Sequence, residues 1–195
     1  MEMNVYFVRH GQSEANATRM YSGWSHVPLT EKGLADAAKA GKILQGVHFD
    51  KVYSSDLKRA CQTCETALPG IPYETDVLLR EISTGILTGQ KHMDVRAKYG
   101  AAHMVCVEKR DYSRYGGESH DMHCARVDKF MKKLEENAVD GNVAIFCHDG
   151  TCKAILRYVL GVDFHPYRVT NDNGSVNVVT WNGQSWYLKR WNQVE

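Results

Sequence analysis

Three short strand-like runs, each cut off by polar residues, constrain the fold of this chain more than any other feature. Residues 3–8 (MNVYFV) stop at Arg9-His10, residues 49–54 (FDKVYS) at Ser55-Asp56, and residues 142–147 (NVAIFC) at His148-Asp149. Runs this short suit buried strands. Segments of helical period lie between them. Thr30 is a natural N-cap, followed by a stripe of Leu34, Ala37, Ala38, Gly41 and Leu44. Ser55 or Asp56 caps a second helix through LKRACQTCETAL, which Pro69-Gly70 stops. A long helix follows Glu118-Ser119 to about residue 137, burying Val127, Phe130, Met131 and Leu134. Another spans residues 150–160 and ends at Gly161. Residues 175–181 and 185–191 alternate in polarity around Asn182-Gly183, a strong hairpin signal.

Strands that alternate with helices predict an α/β fold. The expectation is a three-layer α/β/α sandwich: a mostly parallel sheet, helices on both faces, and a C-terminal β-hairpin. Residues 78–117 carry no clear period and are read as an active-site loop plus a small cap. The whole chain, 1–195, is then a single domain with a cap insertion at about 88–117. In such sheets ligands bind beyond the carboxyl ends of the strands. Arg9-His10, Ser54-Ser55 and His148-Asp149 all fall at such ends and converge on one edge.

Composition narrows the partners. Hydrophobic residues make up 43% and charged residues 24%, the usual globular mix, and the net charge is only +1. No charge excess points to nucleic acid or a membrane surface. There is no signal-like N-terminus and no apolar run approaching the roughly 20 residues that span a bilayer. A soluble, cytoplasmic protein is expected, with Cys61, Cys64, Cys106, Cys124, Cys147 and Cys152 as reduced thiols.

The residues at the strand ends suit phosphoryl transfer without a metal. Such a reaction needs a nucleophile, fixed positive charge for the non-bridging oxygens, and an acid for the leaving oxygen. A neutral histidine nitrogen can attack phosphorus, and arginine is the best phosphate clamp. Taken singly, an Arg-His pair is more often an exposed loop, Arg59 a solvated helix residue, and His148 a core histidine. Their joint placement argues otherwise.

The blocks VRHGQSEAN (8–16), SGW (22–24) with PLTEKG (28–33), YSSDLKRACQT (53–63), LREI (79–82), GES (117–119) and CHDG (147–150) occur in one order along the chain. Together they resemble the histidine phosphatase superfamily, in the branch that includes cofactor-dependent phosphoglycerate mutases. The resemblance implies that His10 becomes phosphohistidine. Arg9, Arg59 and His148 would grip the phosphoryl oxygens, and Asn16 would add a neutral donor. Ser22 and Gly23 would contact the substrate beside the phosphate. Glu81 would protonate the leaving oxygen and later deprotonate water. No metal or organic cofactor is implied, and the partner is a small phosphorylated metabolite. Asp149 departs from this branch, where Gly or Ala is usual after the second histidine. A related acid-phosphatase branch uses a His-Asp pair with the aspartate as proton donor, so Asp149 is a second candidate acid, and a helix cap is its structural alternative. Leu87 and Thr88 also replace a Trp-Glu that often follows the acid block.

Hydrolysis of a phosphomonoester is the leading reading. The rival is a mutase, but mutases of this family carry a longer insertion with paired arginines, where this chain has Lys109-Arg110. A non-enzymatic phospho-ligand binding module is a third reading; it predicts loss of His10 or of the acid, and both are present. Cys61-x-x-Cys64 lies within a helix with no second pair, so a structural role is expected. His120, His123 and Cys124 could share a helix face. Lys109, Arg110 and Arg114 are read as solvated charges or contacts to an anionic substrate. The final hairpin could expose an edge strand for a dimer.

Overall fold

The computed structural model describes residues 1–163 and 168–194. Its strands are β1 (Met3–Arg9), β2 (Lys51–Ser54), β3 (Glu74–Thr75), β4 (Gly141–Cys147), β5 (Val176–Trp181) and β6 (Trp186–Gln193). They form one mixed sheet in the order β3-β2-β4-β1-β5-β6. The first four are parallel to one another, and the hairpin β5-β6 joins antiparallel at the β1 side. Register aligns Arg9 with Cys147 and Ser54 with Phe146. Residues 10, 55 and 148 therefore leave the sheet side by side at one edge.

The helices are α1 (Glu14–Ala17), α2 (Glu31–Leu44), α3 (Lys58–Ala67), α4 (His92–Lys109), α5 (His120–Glu136) and α6 (Asp149–Leu160). One face of the sheet packs Phe7, Tyr53 and Ile145 against Phe130 and Met131 of α5 and Ile155 of α6. The other packs Val8, Val52 and Phe146 against Ala40 and Leu44 of α2 and Cys64 of α3. Burial on both faces explains why β1 and β4 read as continuous apolar runs. No helix among the described residues is long and apolar enough to cross a membrane. At the hairpin, Gly183 takes φ 93° and the Asn182 side chain accepts from the N–H groups of Gln184 and Ser185.

The structure corrects the sequence reading at three places. In α2, Thr30 does cap, its hydroxyl accepting from Gly33 N–H at 3.1 Å, but the buried stripe is Gly33, Ala37, Ala40 and Leu44. Leu34 is 42% exposed, and Ala38 is exposed as well. The stripe is shifted because Gly33 meets the Gly11–Gln12 backbone directly: a Cβ at Gly33 would overlap the Gln12 carbonyl oxygen, and one at Gly11 the Gly33 carbonyl oxygen. In α3, Leu57 is the N-cap with no side-chain cap bond. Asp56 is drawn away to Arg80 (2.8 and 2.5 Å), and the Ser55 hydroxyl, while accepting from Leu57 N–H at 3.3 Å, also reaches His148. In the segment without a clear period, α4 forms with a break at Gly100 (φ 58°, ψ −142°), burying only Val95 and His103. It covers a small cluster of its own, with Ile82, Leu87, Tyr112 and Tyr115.

Because Gly33 sets how closely α2 approaches the loop after β1, Gly33→Ala should cost about 2 kcal/mol or more of unfolding free energy. Urea denaturation tests this, with Ala38→Ser, on the exposed face, expected to change stability by less than about 0.5 kcal/mol.

Candidate active site

His10 is the first residue past β1. Its N–H makes a last bond to the Cys147 carbonyl at 2.9 Å. The side chain is buried, and Nδ1 lies 2.7 Å from the Gly11 carbonyl oxygen. A carbonyl only accepts, so Nδ1 carries the hydrogen and Nε2 presents its lone pair. Arg59 Nε points at that lone pair from 3.3 Å. Burial, then the charges of Arg59 and Arg9, hold His10 well below the usual histidine pKa. It is therefore neutral at physiological pH.

Arg59 sits in the first turn of α3 and is fully buried. Its Nη1 donates to the Ser25 carbonyl (2.9 Å) and its Nη2 to the Gly23 carbonyl (3.0 Å). Burial lowers its pKa to about 10, which still leaves it charged at neutral pH. His148, the N-cap of α6, stands with its ring centroid 5.2 Å from that of His10. Its Nε2 is 2.8 Å from the Ser55 hydroxyl, whereas its buried Nδ1 has no partner among the described residues. Burial, then Arg59 and His10, push its pKa down too. Arg9 donates to the Asn171 carbonyl, and its buried Nε is likewise without a partner among the described residues. Asp149 Oδ1 is 3.8 Å from Arg9, and its Oδ2 accepts from Lys153 Nζ at 2.9 Å.

Glu81 comes from a loop rather than a strand end. Its carboxylate accepts from Ile82 N–H (2.8 Å) and from Gly150 N–H (3.1 Å), the latter in the first turn of α6. A Cβ at position 150 would displace Glu81 Oε1 and Arg110 Nη2 from where they meet over Gly150. The Glu81 carbonyl accepts from Trp24 Nε1 (2.7 Å) and Arg126 Nη2 (3.1 Å). Arg126 also donates to the Leu78 and Arg80 carbonyls and grips Glu118 with two bonds of 2.9 and 2.8 Å. The Trp24 ring lies beneath both Arg80 (5.0 Å) and Arg126 (5.8 Å).

These groups open into a cleft of about 230 Å³ whose lining includes Arg9, His10, Asn16, Glu81, Arg110 and Asp149. Arg59 and His148 are buried beside His10, behind this lining. A larger cavity of about 590 Å³, between the C-terminal ends of α2 and α3, holds none of them. Ser22 and Gly23 line the cleft, and Gly23 also turns its carbonyl onto Arg59. Asn16 reaches the cleft but spends its Oδ1 on the N–H and hydroxyl of Ser13 (3.0 Å each) in the capping box of α1.

Sequence reasoning did not single out Arg110 above its neighbours. It is the left-handed C-cap of α4 (φ 51°), only 7% exposed, with Nη2 3.6 Å from Glu81 Oε1. Lys109 and Arg114 are exposed. Tyr21, His92 and Tyr112 also line the cleft and carried no signal beyond their residue type. The other clusters do not converge. Cys64 packs in the core with its thiol pushed up to about 12 by burial, and Cys61 donates to the Ser55 carbonyl. His120 lies 3.5 Å from Cys124 Sγ, while His123 turns inward to Thr151. Among the described residues no three His, Cys, Asp or Glu side chains are grouped to hold a metal ion.

The family model of the histidine phosphatase superfamily (branch 1) matches residues 5–194. The chain belongs to this superfamily. A 2,3-bisphosphoglycerate-dependent phosphoglycerate mutase of Cytophaga hutchinsonii is 37% identical over 163 residues, covering 80% of this chain and 76% of that protein. Among solved structures, Bacillus stearothermophilus YhfR matches with a TM-score of 0.91 at 25% identity, over 99% of this chain and 98% of that one. A putative alpha-ribazole-5'-P phosphatase of Escherichia coli matches with a TM-score of 0.88 at 25% identity, over 98% and 96%. This histidine phosphatase superfamily member is an enzyme acting on phosphate esters.

Arg126 ties the acid loop to α5, so Arg126→Met should strip donors from three carbonyls and strand the Glu118 carboxylate. The expected loss is about 3 kcal/mol of unfolding free energy, read by urea denaturation. Arg126→Lys should recover only part of it, because an ammonium cannot bond Glu118 bidentately.

Proposed function

We propose that this histidine phosphatase hydrolyses a small phosphomonoester through a phosphohistidine at His10. The observation that carries this reading is the neutral, correctly tautomerised His10 Nε2 beside a buried Arg59, with two unspent buried nitrogens, Arg9 Nε and His148 Nδ1, close by. Ser55 Oγ accepts from Leu57 N–H and keeps its own hydrogen available to His148 Nε2 when a phosphoryl oxygen accepts from His148 Nδ1. In that state the imidazole hydrogen is on Nδ1, making neutral His148 a donor. An incoming phosphoryl dianion supplies acceptors for all of these groups.

His10 Nε2 attacks phosphorus in line with the ester oxygen. The P–O bond breaks as the N–P bond forms, and Glu81 gives its proton to the departing alkoxide. The alcohol leaves. Glu81, now ionised, takes a proton from water, whose oxygen attacks phosphorus, and the N–P bond breaks. Inorganic phosphate departs and Glu81 ends protonated, ready for the next cycle. Arg9, Arg59 and His148 hold the three non-bridging oxygens, Asn16 contributes at the rim, and Ser22 and Gly23 bound the leaving group. The acid is assigned to Glu81 on the family resemblance of its block, and Asp149, bonded to Lys153 and 3.8 Å from Arg9, is given a different part. Asp149 instead acts as a brace for Arg9.

A second reading has support. The curated relative above is named as a mutase, and Arg110 places a cation in the cleft where a substrate's second anionic group would lie. A mutase would return the phosphoryl group from His10 to another hydroxyl of the bound substrate rather than to water.

A panel of phosphomonoesters, assayed with EDTA present, separates the two. Free phosphate as the main product supports hydrolysis; isomerised phosphoglycerate, stimulated by 2,3-bisphosphoglycerate, would make the enzyme a mutase. His10→Ala should lower kcat/KM by at least about a thousandfold and abolish an acid-labile, base-stable phosphoprotein in rapid-quench labelling.

The pH profile carries a sign. His10 must be neutral to attack, and its pKa is depressed, so activity limited by His10 should hold through neutrality. It should fall only well on the acid side of 6.5. A fall that begins above 6.5 would show a nucleophile less buried than it is here.

Glu81→Gln should cost about a hundredfold with alkyl phosphates and far less with p-nitrophenyl phosphate, whose leaving group needs little protonation. Asp149→Asn should show no such dependence on the leaving group; the reverse pattern would move the acid to Asp149.

A further inference from the structure

The reaction proposed above leaves unused a buried histidine in the cap. His103, on α4, is 1% exposed, and its Nε2 lies 2.7 Å from the Tyr21 hydroxyl. Burial, then the nearby Arg114, hold its pKa below the usual value, so the ring is neutral and carries one hydrogen. Its Nδ1 is buried with no partner among the described residues. A buried N–H without an acceptor is rarer and more costly than a buried lone pair without a donor. The favoured tautomer therefore places the hydrogen on Nε2, where it donates to the Tyr21 oxygen.

Tyr21 is held from several sides. Its N–H donates to the Gln90 carbonyl and its own carbonyl accepts from Gly89 N–H. His92 packs on its ring at 4.2 Å, Tyr112 lies 6.1 Å away, and His103 meets it edge-on at 5.7 Å. Behind His103 stands Tyr115, at 5.7 Å. Tyr21, His92 and Tyr112 all line the cleft that Arg9, His10 and Glu81 also line. His103 does not line it.

We propose that His103 is a positioning residue: by holding the Tyr21 hydroxyl it fixes the aromatic wall against which a ring-bearing leaving group packs. This rests on the phosphohydrolase reading and extends it to the class of substrate, a compact phosphomonoester whose alcohol carries a ring. The wall is assembled from the segment after β1 and from the cap, and the hydrogen bond between His103 and Tyr21 joins them. Loss of that bond leaves the His10, Arg59 and His148 group intact, so binding of the leaving group weakens while phosphoryl transfer itself proceeds.

The test compares p-nitrophenyl phosphate, whose ring reaches the wall, with phosphoramidate, whose leaving group is ammonia. His103→Leu and Tyr21→Phe should each raise KM for p-nitrophenyl phosphate by about tenfold, the cost of one buried hydrogen bond, with kcat changed less than about twofold. The double variant should be no worse than either single one, since both remove the same bond. His103→Gln, whose amide can donate to the same oxygen, should restore KM to within about threefold of wild type. The His103 variants should leave KM for phosphoramidate unchanged. Tyr21→Phe removes a single oxygen and carries the test if His103→Leu fails to fold. Effects that multiply in the double variant, a glutamine no better than leucine, or equal shifts for both donors would overturn the proposal. A wild type that turns over neither donor overturns the phosphohydrolase reading instead. Activity on both, with KM unchanged in the variants, overturns only the role of His103.

Discussion

Arg59 carries a guanidinium into a place shut off from solvent, and its hydrogen bonds there go to two backbone carbonyls and a neutral imidazole. An ion taken out of water without a counter-ion costs several kcal/mol even after relaxation. The Gly23 and Ser25 carbonyls offset part of this through their dipoles, which fixes the path of residues 22–25 around the arginine. Gly23 reaches that path at φ 41°, with Thr84 and Thr88 packed where a side chain would stand. The same charge, after burial itself, keeps His10 and His148 neutral. The site is thus a positive charge with a lone pair on one side and, at Arg9 Nε and His148 Nδ1, unspent nitrogens on the other. A phosphoryl dianion is the ligand that balances it.

The phosphoryl-binding groups and the acid reach the site by different routes. His10 and His148 need little scaffolding, because parallel strands bring residues just past Arg9 and Cys147 to one edge. Arg59 follows from β2 by a single turn of helix. Glu81 has no such support. It lies in a loop after Val77–Leu79, where the backbone would ordinarily be mobile. Arg126 and Trp24 compensate by donating to the carbonyls of residues 78, 80 and 81. Glu118 in turn holds Arg126 and also accepts from Ser83 N–H, closing the loop on both sides. The position of Glu81 is set by a buried ion pair, and that of His10 by the sheet.

What could be read from the sequence divides along the same line. Strands β1, β2 and β4, helices α5 and α6 and the hairpin were legible because burial on a sheet or stripe imposes a pattern, and the Asn182-Gly183 turn has its own backbone requirement; β3 was not, because its two residues are exposed. The α2 stripe was read out of phase because Gly33 contributes to packing by having no side chain, and a hydrophobic pattern does not count it. The cap of α3 was missed because Ser55 and Asp56 have stronger partners, His148 and Arg80, that lie far away in sequence. Helix α4 showed no stripe because it covers a cluster of mixed aromatic and polar residues and breaks at Gly100. Arg110 could not be told from Lys109 and Arg114 because its aim depends on a left-handed C-cap, which nothing in a Lys-Arg-Asp triplet announces.

The cap keeps its own small core of Ile82, Leu87, Val95, Tyr112 and Tyr115, separate from the two cores that pack the sheet. Strain introduced there has few packed side chains through which to reach Arg59. Sites without shared partners add independently, so the wall that meets the leaving group can be reshaped while the phosphoryl-binding groups keep their geometry. The link that breaks this independence is ionic. Arg110 is carried by the cap helix, yet it rests against Glu81 over Gly150, at the start of α6. Arg110 is thus the charged contact by which the end of α4 meets Glu81, while the packing around His10 belongs to the sheet.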